Sequence, residues 1–342
     1  MESILITGGA GFIGSNFVRA FMQRYGQADV HVLDALTYAG NPENLPPEIH
    51  ENPRFHFWYG NVCNAGIVSD LMQQVDTVIH FAAESHVARS IHDNVVFFET
   101  DVIGTRVIAD QVLRNRKRIK RFVHISTSEV YGSALTQPMT EEHPLMPFSP
   151  YAAAKCGADR LVYSYAKTYG IPAVIIRPFN QYGPFQHLEK CIPRFITSAL
   201  DGKRITLHGD GSAARDWCYV TDTCDALLKV LEAPLDAVLG EVINLGTGTA
   251  TNIETLSRAI CEQVGRTSVP IEHIENRPGQ VDLHVSSTDK AERLLGWRAR
   301  TTLEEGLART IDWYRTNQDW WRKLEWMKHV PITMTSGQVV MH

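Results

Sequence analysis

The sequence lacks paired cysteines. Its six, Cys63, Cys156, Cys191, Cys218, Cys224 and Cys261, form no Cys-x-x-Cys pair and have no histidine at zinc-finger spacing. That scatter suits isolated thiols in a reducing compartment, so neither a disulfide nor a metal site is expected. Also missing is any apolar run of about 18 residues, which removes a membrane-spanning helix. The N-terminus runs straight into Ile4-Leu5-Ile6-Thr7-Gly8 without the basic segment, apolar stretch and cleavage site of a secretory leader. A cytoplasmic protein with no membrane partner is expected. There is no basic excess either: 33 Lys and Arg face 38 Asp and Glu, for a net charge of −5. The one sharp basic run, Arg114 to Arg121, is short, so no nucleic-acid partner is expected. With 44% hydrophobic and 21% charged residues, the chain reads as a folded, water-soluble protein. Its 342 residues suffice for two domains, or for one large domain with an appendage.

Short β-branched runs alternate with helix-length segments: Ser3–Thr7, a helix from Phe12, then Val30–Leu33, Phe55–Tyr59, Thr77–Phe81 and Arg121–Ser126. Such alternation predicts βαβ units and a parallel sheet covered by helices. After Pro150 a long helix leads to another buried strand, Ala173–Arg177, and beyond Gly183-Pro184 the texture changes to mixed short elements. Polar and Gly-rich breaks there fit a smaller lobe whose loops hold a ligand. The strand at Glu241–Leu245 is free to return to the main sheet. From Trp313 to His342 the chain is aromatic and then irregular, and is expected to pack against the body.

Gly8-Gly9-Ala10-Gly11-Phe12-Ile13-Gly14 follows a predicted strand and opens a predicted helix. In that context Gly8 permits a tight turn, Gly11 lets backbone N–H groups approach a pyrophosphate, and Gly14 allows helix and strand to pack closely. Twenty residues beyond Gly14 the next strand ends in Asp34, where a carboxylate can accept both hydroxyls of an adenosine ribose. Its charge repels a 2′-phosphate and Ala35 offers no arginine to attract one, so NAD is expected rather than NADP. Phe81, Ala82 and Ala83 end the fourth strand with small residues where backbone must pass near the cofactor, and Asn61 and Val62 are placed beside it. The expected fold is α/β: a Rossmann-like doubly wound parallel sheet over residues 1–178, a smaller mixed α/β substrate-binding lobe over 179–330, and a tail over 331–342.

Ser149-Pro150-Tyr151-Ala152-Ala153-Ala154-Lys155 puts Ser at an N-cap, Pro in the first turn, and Tyr151 and Lys155 on one helix face. A phenol of pKa about 10 is a poor base, but an adjacent ammonium favours the phenolate and lets it take a proton from an alcohol. Thr127, Ser128 and Glu129 follow the fifth strand at the edge that faces the ligand crevice in an open α/β sheet. Thr127 can hydrogen-bond the sugar hydroxyl being oxidised. Glu129 is one carboxylate more than a plain alcohol dehydrogenase needs.

With these residues together, the chain resembles the extended short-chain dehydrogenase/reductase family over residues 3–315. Within it, the nearest likeness is to the nucleotide-sugar 4,6-dehydratases, those for dTDP-glucose above all. The segments that carry the likeness are Asp34-Ala35-Leu36-Thr37-Tyr38-Ala39-Gly40-Asn41, Ala82-Ala83-Glu84-Ser85-His86-Val87, Asn180-Gln181-Tyr182-Gly183-Pro184, Glu189-Lys190-Cys191-Ile192-Pro193, and Gly209-Asp210-Gly211 with Arg215-Asp216-Trp217. The resemblance implies that Tyr151 removes the C4 hydroxyl proton as hydride passes to NAD. Glu129 then takes the C5 proton, water leaves from C6, and the hydride returns there. It places Ser85, His86, Asn180, Lys190, Arg215, Asn244 and Arg277 against the sugar nucleotide, with Thr206 and His208 near the base. It also implies a homodimer through helices near Val102–Asn115 and Ala152–Thr168.

The chain departs from the pattern in one telling place. The dTDP-glucose enzymes carry Thr-Asp-Glu, with the Asp protonating the departing hydroxyl, whereas here the triplet is Thr127-Ser128-Glu129. Serine is too weak an acid to do this unaided, although it could orient or relay a proton. Related GDP-mannose dehydratases and UDP-glucuronate decarboxylases share Thr-Ser-Glu, although the decarboxylases have Arg where this chain has Phe185. Decarboxylation of a UDP-uronic acid, C4 epimerisation and a non-catalytic NAD-binding role stand as the alternatives.

Overall fold

The computed structural model describes residues Met1–Met341; of the tail, His342 lies outside the described residues. Six strands build most of a parallel sheet: β1 (Ser3–Thr7), β2 (Asp29–Asp34), β3 (Phe55–Tyr59), β4 (Thr77–His80), β5 (Arg121–Ile125) and β6 (Ala173–Pro178). The chain then leaves for β7 (Asn180–Tyr182), β8 (Ile205–His208) and β9 (Ala214–Tyr219), and returns as β10 (Val242–Leu245) beside β6. The order β10-β6-β5-β4-β1-β2-β3 is that of a doubly wound sheet. Its direction of winding reverses between β1 and β4, which opens a crevice at the carboxyl ends of the strands. Near-continuous apolar runs such as Ile4-Leu5-Ile6 are buried because helices cover both faces, forming two cores on opposite sides of the sheet.

The second lobe holds β7 and β9 with β11 (Ala250–Asn252), and β8 paired with β12 (Ile271–Ile274). Helices Cys191–Leu200, Ile253–Val264 and Leu303–Thr316 close over a core containing Tyr182, Trp217 and Tyr314. Trp320 and Trp321 are buried there too, while Trp326 is exposed. The tail ends as a hairpin, β13 (Pro331–Thr333) and β14 (Val339–Met341), which lays Ile332 and Met334 on Ala88 of the helix Val87–His92. Among the described residues no helix is long and apolar enough to cross a membrane.

One element differs in kind from its expectation. The helix anticipated near Val102 is a π-helix over Phe98–Gly104 that continues as an α-helix over Thr105–Arg114. Single π turns often mark functional sites. Here the turn carries Asp101, which is fully buried.

Candidate active site

The crevice is a continuous cleft of about 430 Å³ running from the Gly8 loop to the second lobe. At one end, Gly8 sits at φ +71°, and a Cβ there would stand 2.6 Å from the Ala82 nitrogen; one on Gly14 would stand 2.2 Å from the Gly8 oxygen. The small residues after β4 therefore serve the packing of this loop as well as an approaching ligand. The helix Phe12–Arg24 starts at Gly11 with no side-chain cap, so its first N–H groups stay available to an anion. Asp34 accepts the Ala10 N–H on Oδ2 and the Leu36 N–H on Oδ1, both at 2.9 Å. Burial raises its pKa while those two N–H groups oppose the rise. A carboxylate has about four acceptor sites, so capacity remains for two ribose hydroxyls. Gly8, Gly11, Phe12, Ile13, Gly14, Asp34, Asn61, Val62, Phe81, Ala82 and Ala83 all line the cleft. A glycine cradle, an uncapped helix end and a carboxylate without a neighbouring arginine form a donor and acceptor set that fits NAD.

At the centre, Thr127 caps the short 3₁₀ turn Ser128–Tyr131 by accepting the Glu129 N–H at 3.2 Å. Ser149 caps the helix Pro150–Tyr169 through the Ala152 N–H, setting Tyr151 and Lys155 one turn apart. Thr127, Glu129, Tyr151 and Lys155 all line the cleft. Burial pushes the Tyr151 phenol up, the buried charges of Asp101 and Glu129 add to this, and the Thr127 hydrogen bond opposes them. Lys155 Nζ donates to the Ile125 carbonyl at 2.8 Å, and burial lowers its pKa against the pull of Asp101 and Asp159. Burial and the two carboxylates thus oppose the phenolate that the Tyr–Lys spacing is expected to favour.

Beyond Glu129 three cations converge: Arg215 on β9, Arg277, and Lys190, whose Nζ donates to the Ser85 carbonyl at 2.6 Å. Burial lowers the pKa of each. For Glu129 burial acts upward, but His284, Arg215, Arg277 and Lys190 outweigh it and hold the carboxyl below its ordinary value. Asn180 Oδ1 is buried without a protein partner, an acceptor kept for something else. Ser85, His86, Thr206 and His208 complete the walls, the last with Nδ1 2.9 Å from the Glu275 carbonyl. Three arginine and lysine heads beside one carboxylate give this end of the cleft the donors that a diphosphate can accept from.

A family model described as GDP-mannose 4,6 dehydratase matches residues 5–310. The chain belongs to this dehydratase family. A dTDP-glucose 4,6-dehydratase of Streptomyces niveus is 41% identical over 327 residues, covering 94% of this chain and 95% of the relative. The low-salt glycan biosynthesis protein Agl12 of Haloferax volcanii is 43% identical over 312 residues, covering 91% and 98%. Among solved structures, the dTDP-glucose 4,6-dehydratase DesIV of Streptomyces venezuelae, with NAD and TYD bound, superposes with a TM-score of 0.89 at 41% identity, over 94% of this chain and 99% of that one.

Two residues expected at the dehydratase's site lie outside the cleft. Asn244 is fully buried on β10, where Oδ1 accepts from the Tyr131 hydroxyl at 2.7 Å and Nδ2 donates to the Met139 carbonyl at 3.1 Å. Both its side-chain polar atoms have scaffold partners and it does not line the cleft, so the expected place against the substrate is not where the fold puts it. Ser128 turns its hydroxyl away from the cleft, to 3.2 Å from His284 Nδ1. Conversely, no local pattern singles out His284, a lone histidine in a loop, or Asp101, whose burial pushes its carboxyl up to about 7 beside Lys155. Only its position as an acid within an apolar helical stretch hinted at the latter. Beneath the cleft Asp159 ties the parts together. Arg177 donates to both its oxygens at 2.9 Å, Ser126 donates at 2.7 Å, and the same Arg177 reaches the Tyr131 hydroxyl at 2.9 Å. That network joins the helix of Tyr151 to the turn of Glu129.

Proposed function

We propose that the protein is an NAD-dependent nucleotide-sugar 4,6-dehydratase acting on a dTDP-glucose-like NDP-hexose. The reading rests on one observation: the Glu129 carboxylate lines one cleft with Thr127, Tyr151 and Lys155 and feels the charge of three cations there. The Gly8–Gly14 loop and Asp34 hold the cofactor. When bound, NAD supplies an acceptor for the C4 hydride and the donor that returns it to C6.

The chain's own residues handle the protons. The Thr127 hydroxyl and Tyr151 hold the C4 hydroxyl, and its proton leaves to Tyr151 in the phenolate form, which the Lys155 ammonium on the next helical turn favours. A C4 ketone acidifies the C5 hydrogen, which Glu129 accepts. The cations that keep Glu129 ionised also make it a weak base. A bound diphosphate neutralises Arg215, Arg277 and Lys190, so the carboxylate gains basicity only once substrate is in place. With Ser128 turned away, the same Glu129, now carrying the C5 proton, is the acid that protonates the departing C6 hydroxyl. Incubation with dTDP-, UDP-, GDP- and CDP-hexoses should give a product lighter by one water and no net reduced cofactor. Loss of carbon dioxide, an isomeric product, or no turnover on any of them would overturn the reading in favour of decarboxylation, epimerisation or a silent binding role.

We further propose a cytoplasmic homodimer. Val95 and Val96 are exposed on the short helical turn Val95–Phe97, Phe98 and Ile103 on the π-helical segment that follows it, and Tyr163 and Tyr169 on the neighbouring helix Pro150–Tyr169. An apolar strip of this kind on paired helices suits a four-helix interface. Sedimentation at micromolar concentration should give the dimer mass; a monomer would reject it.

A further inference from the structure

The Ser128–Tyr131 turn is held from below by one side chain that takes no proton in the mechanism, although its charge, when protonated, adds to the pull on Glu129. His284 is fully buried, with Nε2 2.8 Å from the Gly132 carbonyl and Nδ1 3.2 Å from Ser128 Oγ. A carbonyl only accepts, so Nε2 carries the hydrogen, and in the neutral ring Nδ1 accepts from the Ser128 hydroxyl. The imidazole thus grips the residues at both ends of the turn that carries Glu129. It is itself tied to the substrate lobe. The His284 N–H donates to the Ala214 carbonyl at 3.1 Å, next to Arg215, and Ser286 two residues on gives its hydroxyl and N–H to Asp216. On the other side, the Leu283 carbonyl accepts from Ala134 and the Val285 carbonyl from Met139. The Phe179 ring meets the imidazole edge-on at 5.9 Å.

We infer that His284 is a positioning residue: acting through Ser128 and Gly132, it fixes the aim of the Glu129 carboxylate and couples that aim to β9 and its Arg215. Serine at 128 is then the partner the imidazole requires, a small hydroxyl that donates, rather than an acid that has lost its function. This inference rests on the dehydratase reading above, and it extends it to a residue that touches no substrate atom.

The test separates aim from binding and from folding. In deuterated water, enzyme-catalysed exchange of the C5 hydrogen of the 4-keto-6-deoxy product reads Glu129 without C6 departure or hydride return. His284→Phe should lower kcat and C5 exchange together by about 10- to 100-fold, the scale of loss from an ångström of misplacement. KM and nucleoside-diphosphate affinity should change less than about twofold, since uniform binding is untouched. Ser128→Ala, which removes one oxygen and leaves the Gly132 bond, carries little risk to folding and should show the same split at smaller size. The double variant should be no slower than His284→Phe alone, because the two residues act as one unit. His284→Gln, which keeps a donor for Gly132, should recover part of the exchange rate. Unchanged kcat and exchange in Ser128→Ala and in a His284 variant of wild-type thermal midpoint would overturn the inference, as would multiplying effects in the double variant or a rise in KM alone. Failure of the wild-type enzyme to dehydrate any NDP-hexose is a different result, and removes the parent reading and this one together.

Discussion

Glu129→Gln is expected to lower turnover by about 10²- to 10⁴-fold, the usual contribution of a positioned acid–base group, without weakening the hold on substrate. The amide has the carboxylate's shape and keeps the turn's backbone bond to Thr127, so the loss isolates the proton transfer at C5. Binding should move the other way. Glu129 is an anion among Arg215, Arg277 and Lys190, and each of those groups feels its charge. Removing that charge leaves the cations to the diphosphate alone, so nucleoside-diphosphate affinity by calorimetry should hold or tighten while kcat collapses. Wild-type kcat in the variant, or a kcat loss matched by an equal loss of affinity, would mean that the carboxylate does not do the work assigned to it.

The second large effect concerns stability. Arg177→Met should cost about 3–5 kcal/mol, read as a shift in the denaturant midpoint, because it strands a buried carboxylate. Asp159 and Arg177 are both almost fully buried, with two hydrogen bonds between them. Burial acts to raise the Asp159 pKa, yet the Arg177 hydrogen bonds and charge, with Arg160 and the Ser126 hydroxyl, hold it far below its ordinary value. A depressed carboxylate contributes stability above the unfolded value of 3.8 and loses it as pH falls through the folded one. The difference between wild type and variant should therefore be full at neutral pH and shrink on acidification, first as the stranded Asp159 of the variant, raised by burial, takes a proton, and further as pH falls through the depressed wild-type value. Exchanging both partners together, Asp159→Leu with Arg177→Met, should restore much of the loss, since a well-packed apolar pair often replaces a buried ion pair without cost. A single-variant loss below about 1 kcal/mol would place the pair among weakly contributing surface bridges instead.

Most of the sheet was legible because its signals are local. Strand edges such as Ser3–Thr7 and Phe55–Tyr59 coincide with their apolar runs, and caps such as Ser149 with Pro150 announce a helix start. Glycine spacing, Asp34, and the Tyr151–Lys155 interval could be read for the same reason, and the fold brings those residues into one cleft with Thr127 and Glu129. What escaped depends on single side-chain directions set by distant chain. Ser128 and Glu129 are neighbours in sequence but point apart because His284, 156 positions away, captures the serine. Asn244 looked available until Tyr131 and Met139, more than a hundred residues upstream, took its amide. The π turn around Asp101 has no periodic signature distinct from that of an α-helix, so a helix was expected and its altered pitch was not.

Asp34 carries a consequence for anyone who would change the cofactor. Its two oxygens fasten the Ala10 and Leu36 backbone, Leu36 is held at φ +48°, and Gly40 passes so near that a Cβ there would lie 2.8 Å from Oδ1. Choice of coenzyme and shape of the loop are therefore one and the same trait. Swapping this acid for a small neutral residue to admit a phosphorylated ribose would unfasten both loops at once, so redesign must begin by rebuilding residues 35–40 around a new anchor.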